Sequence, residues 1–192
     1  MAEGDLYTRK RVASSDNEVW TYTNNTGNVE IITSAHGGSS SVNFSVGTDK
    51  IGTDITSQYD PNGGQSVWEY SKSSIVVPDG QSVDMFLEFT GRSVALTTQE
   101  VNRTGIKSDG VITSGNTVTL SSIGFSDGDV VRSLQSAADI PFEFYDGSTW
   151  RQVADAKTNP ATRIHIDDAS QWRINNVETF GVSYRITGLR PE

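Results

Sequence analysis

The chain has 192 residues, a net charge of −9 and no cysteine. The lack of cysteine excludes disulfides and thiol chemistry, and the acidic balance argues against a nucleic-acid-binding face, which needs clustered Lys and Arg. No stretch reaches the roughly 18 apolar residues of a membrane span, and the first residues lack the apolar core of a signal peptide, so we expect cytoplasmic synthesis.

The composition favours β-structure. Serine and threonine together account for 44 residues and glycine for 18, whereas lysine contributes 5. Thr, Val and aromatic residues favour strands, and Gly, Asn, Asp and Ser favour turns. The chain is long enough for two domains of roughly 90–100 residues each. We therefore predict an all-β chain with many tight connections.

The first half consists of short alternating segments separated by turn residues. Residues 6–13 fit a short strand or an extended arm. The alternating run 18–23, the Asn-Asn-Thr-Gly turn after it and the run 28–34 predict a β-hairpin. Residues 82–89 alternate regularly, and 93–101 are their predicted partner strand. Further strands are predicted at 41–47, 65–70 and 74–77.

The second half begins after a pause in this pattern at 102–110, where charge, glycine and serine collect. Strands are predicted at 111–112, 117–120, 130–134, 141–145, 150–153, 162–166, 171–174 and 181–187, with a short helix over 134–139. Strands at this spacing predict two tandem antiparallel β-sandwiches, jelly-roll-like in class. The expected division is an N-terminal arm (1–14), a first sandwich (15–103) and a second sandwich (104–192). The segments FLEFTGR and VSYRITGLR echo each other and are compatible with a duplication.

The residues that could carry chemistry form no recognisable motif. His36 and His165 lack the spacing of a zinc site, and no Gly-x-Ser-x-Gly sequence is present. The acidic pairs Asp127/Asp129 and Asp167/Asp168 fit turns better than catalytic carboxylates or an EF-hand calcium loop. We predict a non-enzymatic protein with no catalytic residue, cofactor or metal.

Two groups of residues are candidates for protein contacts. The first is the basic cluster Arg9, Lys10 and Arg11, for which a solvated arm is the alternative. The second comes from the segments STWRQ and SQWRI, in which an arginine follows a tryptophan; they contribute Trp150, Arg151, Trp172 and Arg173. Trp, Tyr and Arg are enriched at interface centres. Trp20, Trp68, Trp150 and Trp172 could instead form a sugar-stacking platform.

Three segments of the first half carry a resemblance to known proteins. They are EVWTYTNNTGNVEIITSA, SSVNFSVG and IVVPDGQSVDMFLEFTGRSVALTTQEV. Their succession of strand, Asn-Thr-Gly turn and strand, with a closing apolar-Pro-x-Gly strand and a glycine-turn hairpin, resembles β-sandwich structural proteins of tailed bacteriophages. The resemblance covers about residues 15–101, and the second half has no comparable counterpart.

This resemblance implies a virion protein that is assembled in the host cytoplasm and released by lysis. It implies a capsid decoration or cement protein, with the major capsid protein or another virion protein as partner and a homo-oligomer, a trimer by analogy with the class. Its N-terminal arm would lie against the capsid lattice. The alternatives are a tail, neck or fibre-base subunit and a carbohydrate-binding sandwich module. Neither nucleic acid nor membrane is an expected partner.

Overall fold

The computed structural model describes residues 6–37, 42–51, 56–59, 66–70, 74–157 and 163–191, with 36–37, 56–59 and 66–70 described as backbone. The predicted all-β fold of two antiparallel sandwiches is confirmed. These residues contain 18 strands and two short 3₁₀ helices. No helix within the described ranges is long and apolar enough to span a membrane.

The first sandwich consists of ten strands in two sheets. One sheet has the order β1-β10-β3, with β8 and the β6–β7 hairpin both paired to the other edge of β3; the facing sheet has the order β2-β9-β4-β5. The strands are β1 (Leu6–Val12), β2 (Glu18–Thr23), β3 (Val29–Gly37), β4 (Val42–Val46), β5 (Asp49–Lys50), β6 (Thr56–Tyr59), β7 (Ser66–Tyr70), β8 (Ile75–Val77), β9 (Ser82–Leu87) and β10 (Ser93–Val101).

The second sandwich has eight strands, in the sheets β11-β18-β13-β16 and β12-β17-β14-β15. The 3₁₀ helices, Ser121–Ile123 and Ala169–Gln171, lie in its connections. The strands are β11 (Thr104–Ile112), β12 (Thr117–Thr119), β13 (Val130–Ser136), β14 (Pro141–Tyr145), β15 (Trp150–Asp155), β16 (Ile164–His165), β17 (Trp172–Asn175) and β18 (Val182–Arg190).

Both sandwiches have the same topology. When the β6–β7 hairpin is set aside as an insertion, the first, eighth, third and sixth strands of each sandwich form one sheet, and the second, seventh, fourth and fifth form the other. This is the order of an eight-stranded jelly roll, a fold found in viral capsid and lectin domains. The segments FLEFTGR and VSYRITGLR do not mark the repeat, because the first begins in the last two residues of a seventh strand and the second is an eighth strand.

The two hairpins predicted for the first half are wrong. Strands β2 and β3 belong to facing sheets, and so do β9 and β10. The turn after β2 therefore crosses from one sheet to the other. The fully buried Asn24 holds this crossing: its amide nitrogen donates to the carbonyls of Asn28 and Val77 at 2.8 Å, and its oxygen accepts from the Thr26 amide.

In the second sandwich, too, a buried asparagine holds a connection that crosses from one sheet to the other. Asn176, also fully buried, follows β17 and precedes β18. Its amide nitrogen donates to the carbonyls of Ile112 and Phe180, and its oxygen accepts from the Glu178 amide. In each sandwich one asparagine thus bonds a carbonyl of the opposite sheet, which closes the rim where backbone groups would otherwise lack partners.

Two further expectations differ from the structure. Residues 134–136 of the predicted helix continue strand β13, where Leu134 is buried in the core. Of the two alternatives for residues 6–13, the short strand is correct and the arm is wrong, because residues 6–12 form edge strand β1, which pairs with β10 over seven residues. Val94 and Leu96 anchor β10 in the core. The free edge of β10 then pairs with β1.

The two sandwiches meet along β8 and β18. Val29, Ile31 and Val76 of the first sandwich form an apolar cluster with Leu189 of the second. The Val76 amide donates to the Thr187 hydroxyl at 3.1 Å. The eighth strand of the second sandwich therefore lies at the junction.

We expect Asn24→Ala and Asn176→Ala each to lower the free energy of unfolding by about 1–3 kcal/mol, because each leaves buried backbone groups without their partner. Urea unfolding followed by tryptophan fluorescence measures the change. Asn25→Ala, at the exposed neighbouring position, is the control and should stay within about 0.5 kcal/mol of wild type. Equal effects of Asn24→Ala and Asn25→Ala would contradict the proposed role of the crossing asparagine.

Candidate interaction surface

The outer face of the sheet β12-β17-β14-β15 carries the main candidate surface. Successive residues of a strand point to opposite faces. On β14, Phe142 is fully buried in the core, so Glu143 and Tyr145 point outward. Register places Glu143 opposite Arg173 of β17, and Tyr145 opposite Trp150 of β15. Strand β14 thereby brings together two residues that are 23 positions apart in the sequence.

These four side chains, Glu143, Tyr145, Trp150 and Arg173, form what we call the Trp150 face. The Arg173 guanidinium lies over the Trp150 ring, 3.9 Å from its centroid, and its Nε donates to the Glu143 carboxylate at 2.6 Å. Tyr145 packs against Trp150 with ring centroids 5.4 Å apart. The salt bridge is shielded, with 20% and 12% of the two side chains exposed. The face is therefore ordered before any partner arrives.

Arg151 lies beside this face but is held by another contact. As the next residue of β15, it alternates away from Trp150, and its Nε donates to Asp146 at 2.6 Å. The pKa of Asp146 is held well below its ordinary value, mainly by the Thr149 amide and then by Arg151 and Ser148. Arg151 is largely exposed, so this hairpin adds a charged edge to the surface.

Trp172 is not part of the Trp150 face. It packs on the inner side, where ring centroids lie 5.2 Å from Phe142 and 5.6 Å from Phe144. Its indole N–H donates to Asp167 at 2.8 Å, which lowers the pKa of that carboxyl. Of the candidates from the two Trp-Arg segments, the structure brings Trp150 and Arg173 together and separates Trp172 from them.

The basic cluster of the first sandwich is also divided. Arg9 is directed inward: it binds the fully buried Glu30 at 3.0 Å and stacks on Tyr22 at 5.4 Å. Glu30 also accepts from the hydroxyls of Tyr22 and Thr98. A buried carboxylate needs such partners. Arg9 is thus part of the packing of the first sandwich, a role that its sequence context does not reveal.

Lys10 and Arg11 stay on the surface. Lys10 is exposed, and Arg11 donates to Glu18 at 2.6 Å. Glu18 also accepts from the backbone and hydroxyl of Ser14. The Ser14 amide, followed by Arg11, lowers the pKa of Glu18 from 4.5 to about 2. This network holds the turn between β1 and β2.

The carboxylates of the two acidic pairs in the second half accept hydrogen bonds or form salt bridges within their connecting segments. Asp127 accepts from the Ala169 amide at 2.9 Å, and Asp129 accepts from Ser126 and binds Arg190. Asp168 caps the second 3₁₀ helix. No group of three or more potential metal ligands occurs within the described residues. His165 is exposed on β16, and the side chains of His36 and Trp68 lie outside the described part. The segment Asp60–Asn62, whose Asp-x-Asn spacing also resembles part of a calcium loop without continuing into the EF-hand pattern, lies outside it too.

Comparisons with known proteins found no match for this chain. No family model matches it, and neither a curated protein nor a solved structure does.

We expect Glu18→Gln to reduce the loss of folding stability that accompanies a fall in pH below about 4.5. A carboxyl whose folded pKa is about 2 instead of 4.5 contributes stability above pH 4.5, and that stability is lost as the pH falls towards 2. Melting temperatures between pH 7 and pH 2 measure this loss, which should be smaller in the variant. Arg11→Ala should retain most of it, because the Ser14 amide is the larger cause. Identical profiles for Glu18→Gln and wild type would refute the assignment.

Proposed function

We propose that this chain is a non-enzymatic structural protein of a tailed-bacteriophage particle, which decorates or cements the head by docking its Trp150 face on another virion protein. The observation that carries the proposal is this preformed face on a jelly-roll scaffold. Trp, Tyr and Arg dominate interface energetics. Side chains that are already fixed lose little entropy on binding.

The resemblance of residues 15–101 to phage β-sandwich proteins supports the same class, and the jelly roll is a fold of viral capsid domains. The major capsid protein is the proposed partner. Because residues 6–12 are paired within the first sandwich, the proposed contact is assigned to the Trp150 face and not to an N-terminal arm.

Purified particles of the encoding phage test the proposal. Quantitative mass spectrometry should find the protein at hundreds of copies per particle, as expected for a head-surface component. A handful of copies would favour the neck, tail or fibre base. Its absence from particles would refute a virion role.

Rebinding to heads that lack the protein tests the face itself. We expect Trp150→Ala and Arg173→Glu each to weaken binding at least tenfold, since truncation of an interface anchor typically costs about 2 kcal/mol or more. Cosedimentation at graded concentrations measures this. Lys50→Ala, which removes a surface salt bridge to Glu88 in the first sandwich, is the matched control and should bind normally. Undiminished binding by both Trp150→Ala and Arg173→Glu would show that the contact lies elsewhere.

A carbohydrate-binding module is the second candidate. Jelly rolls also occur as lectin domains, and the exposed Gln152 adjoins the Trp150 face. Against it, the Arg173 guanidinium already covers one face of the Trp150 ring, on which a sugar would stack. A glycan array that gives binding to wild type and none to Trp150→Ala would favour this candidate over protein docking.

A further inference from the structure

A buried carboxylate without a full set of partners lies at one end of the first sandwich. Glu100 is 1% exposed, and its Oε1 atom is buried and has no hydrogen-bond partner. Its Oε2 atom accepts from the Asn28 side-chain amide at 3.3 Å, which is long for such a bond. A buried charge requires close partners, so the surroundings of Glu100 leave part of its hydrogen-bonding capacity unused.

The strand register places a second carboxylate beside the first. Glu100 on β10 lies opposite Glu30 on β3, and both residues are buried. Glu30 is well provided with partners, since it accepts from Arg9, Thr98 and Tyr22. Among the described residues, Arg9 is the cation that binds this pair, and it binds Glu30. Like charges opposite each other destabilise a sheet, so a second cation at Glu100 would stabilise the fold.

A cavity of about 260 Å³ adjoins this carboxylate. It is lined by Asn28, Glu100, Val101 and Asn102. Because Asn28 is exposed, its side chain can turn away from Glu100 and give a ligand access to the carboxylate. The volume lies below the range of about 300–1,000 Å³ that is typical of pockets for drug-sized ligands, which favours a small molecule.

The lining determines which chemistry fits. Glu100 supplies a negative charge, and the side-chain oxygens of Asn28 and Asn102 supply two further acceptors. A primary ammonium group has three N–H donors and no acceptor, so it matches this set. Ca²⁺ takes about six to eight oxygen ligands, more than these side chains provide. Val101 adds an apolar wall, against which an alkyl chain can pack.

We propose that Glu100 anchors a binding site for a small aliphatic primary amine. The ammonium group binds the Glu100 carboxylate in place of the long contact from Asn28. The side-chain oxygens of Asn28 and Asn102 accept its two other N–H groups, and its alkyl chain lies against Val101. The site is separate from the Trp150 face and does not depend on the proposed virion role.

Thermal unfolding of the full chain at pH 7 tests the site, because an alkylammonium ion is charged there, as a lysine side chain is. Propylammonium chloride is titrated against tetramethylammonium chloride at constant ionic strength, so that general screening stays fixed. Both ions carry one positive charge, but tetramethylammonium has no N–H donor. We expect propylammonium to raise the melting temperature by about 3–6 °C at ten times its dissociation constant.

Two-dimensional ¹H–¹⁵N NMR locates the ligand. The side-chain amide signals of Asn28 and Asn102 should shift saturably with propylammonium and stay in place with tetramethylammonium. Saturable shifts that omit both residues would overturn the proposal. A calcium chloride titration that raises the melting temperature, with no response to propylammonium, would assign the cavity to a metal ion and overturn it too.

Three variants make the test specific. Glu100→Gln keeps the shape of the side chain and removes its charge, and we expect at least a tenfold weaker affinity for propylammonium. Asn102→Ala, at an exposed position, should weaken the affinity severalfold with little change in the melting temperature of the free protein. Glu88→Gln is the matched control, because it removes a carboxylate of the first sandwich that binds Lys50, and it should respond as wild type does.

Two results would overturn the assignment to Glu100. The first is an affinity for propylammonium that is the same in wild type, Glu100→Gln and Asn102→Ala. The second is an equal response of the wild-type protein to propylammonium and tetramethylammonium, which would show that charge alone acts and that no N–H group is recognised.

Discussion

The burial of β18 on both faces is the constraint on which the rest of the structure depends. Every residue from Val182 to Leu189 is buried. One face, with Val182, Tyr184 and Ile186, packs into the core of the second sandwich. The other face is polar except for Leu189 and meets the first sandwich. On it, Ser183 donates to Asp49, and Arg185, 1% exposed, binds Asp109 and donates to the Ser45 carbonyl at 2.8 Å. Because buried polar groups need partners, β18 requires the first sandwich to be in place.

This junction determines which sheet of the second sandwich is accessible to a partner. The sheet containing β18 faces the first sandwich, so the other sheet of the second sandwich, which carries the Trp150 face, lies on the far side of its core. The buried Arg185–Asp109 pair is weak evidence for stability in itself, since desolvation offsets the attraction. The contact of this pair that crosses the junction is the hydrogen bond from Arg185 to the Ser45 carbonyl, which ties the orientation of the second jelly roll to that of the first. Contacts across the junction and a preformed outer face are what the proposed assembly role requires.

Local sequence reasoning recovered the fold class and most strands, but it missed β5, β6 and most of β11, which lies in the predicted pause at 102–110. It did not recover the strand pairing. Alternation marks β9 and β10 clearly, because their inner residues, such as Met85 and Leu96, are buried. A turn signal such as Asn-Asn-Thr-Gly does not distinguish a hairpin from a crossing between sheets; the difference lies in whether Asn24 is buried, which is decided by the distant Val77. For the same reason, the meeting of Trp150 with Arg173 follows only from the pairing of both strands with β14, and the inward direction of Arg9 follows only from the burial of Glu30.

Differential scanning calorimetry of the full chain tests the dependence of the two sandwiches on each other most directly. If β18 couples them, the chain unfolds in one cooperative transition, with equal calorimetric and van't Hoff enthalpies. Replacement of Arg185 by Ala, which removes the hydrogen bond to the Ser45 carbonyl across the junction while Asp109 keeps its salt bridge to Lys107, should lower that single transition without splitting it. Two resolved transitions in the wild-type protein, of which Arg185→Ala shifts only one, would show that the jelly rolls are independent and would contradict the account.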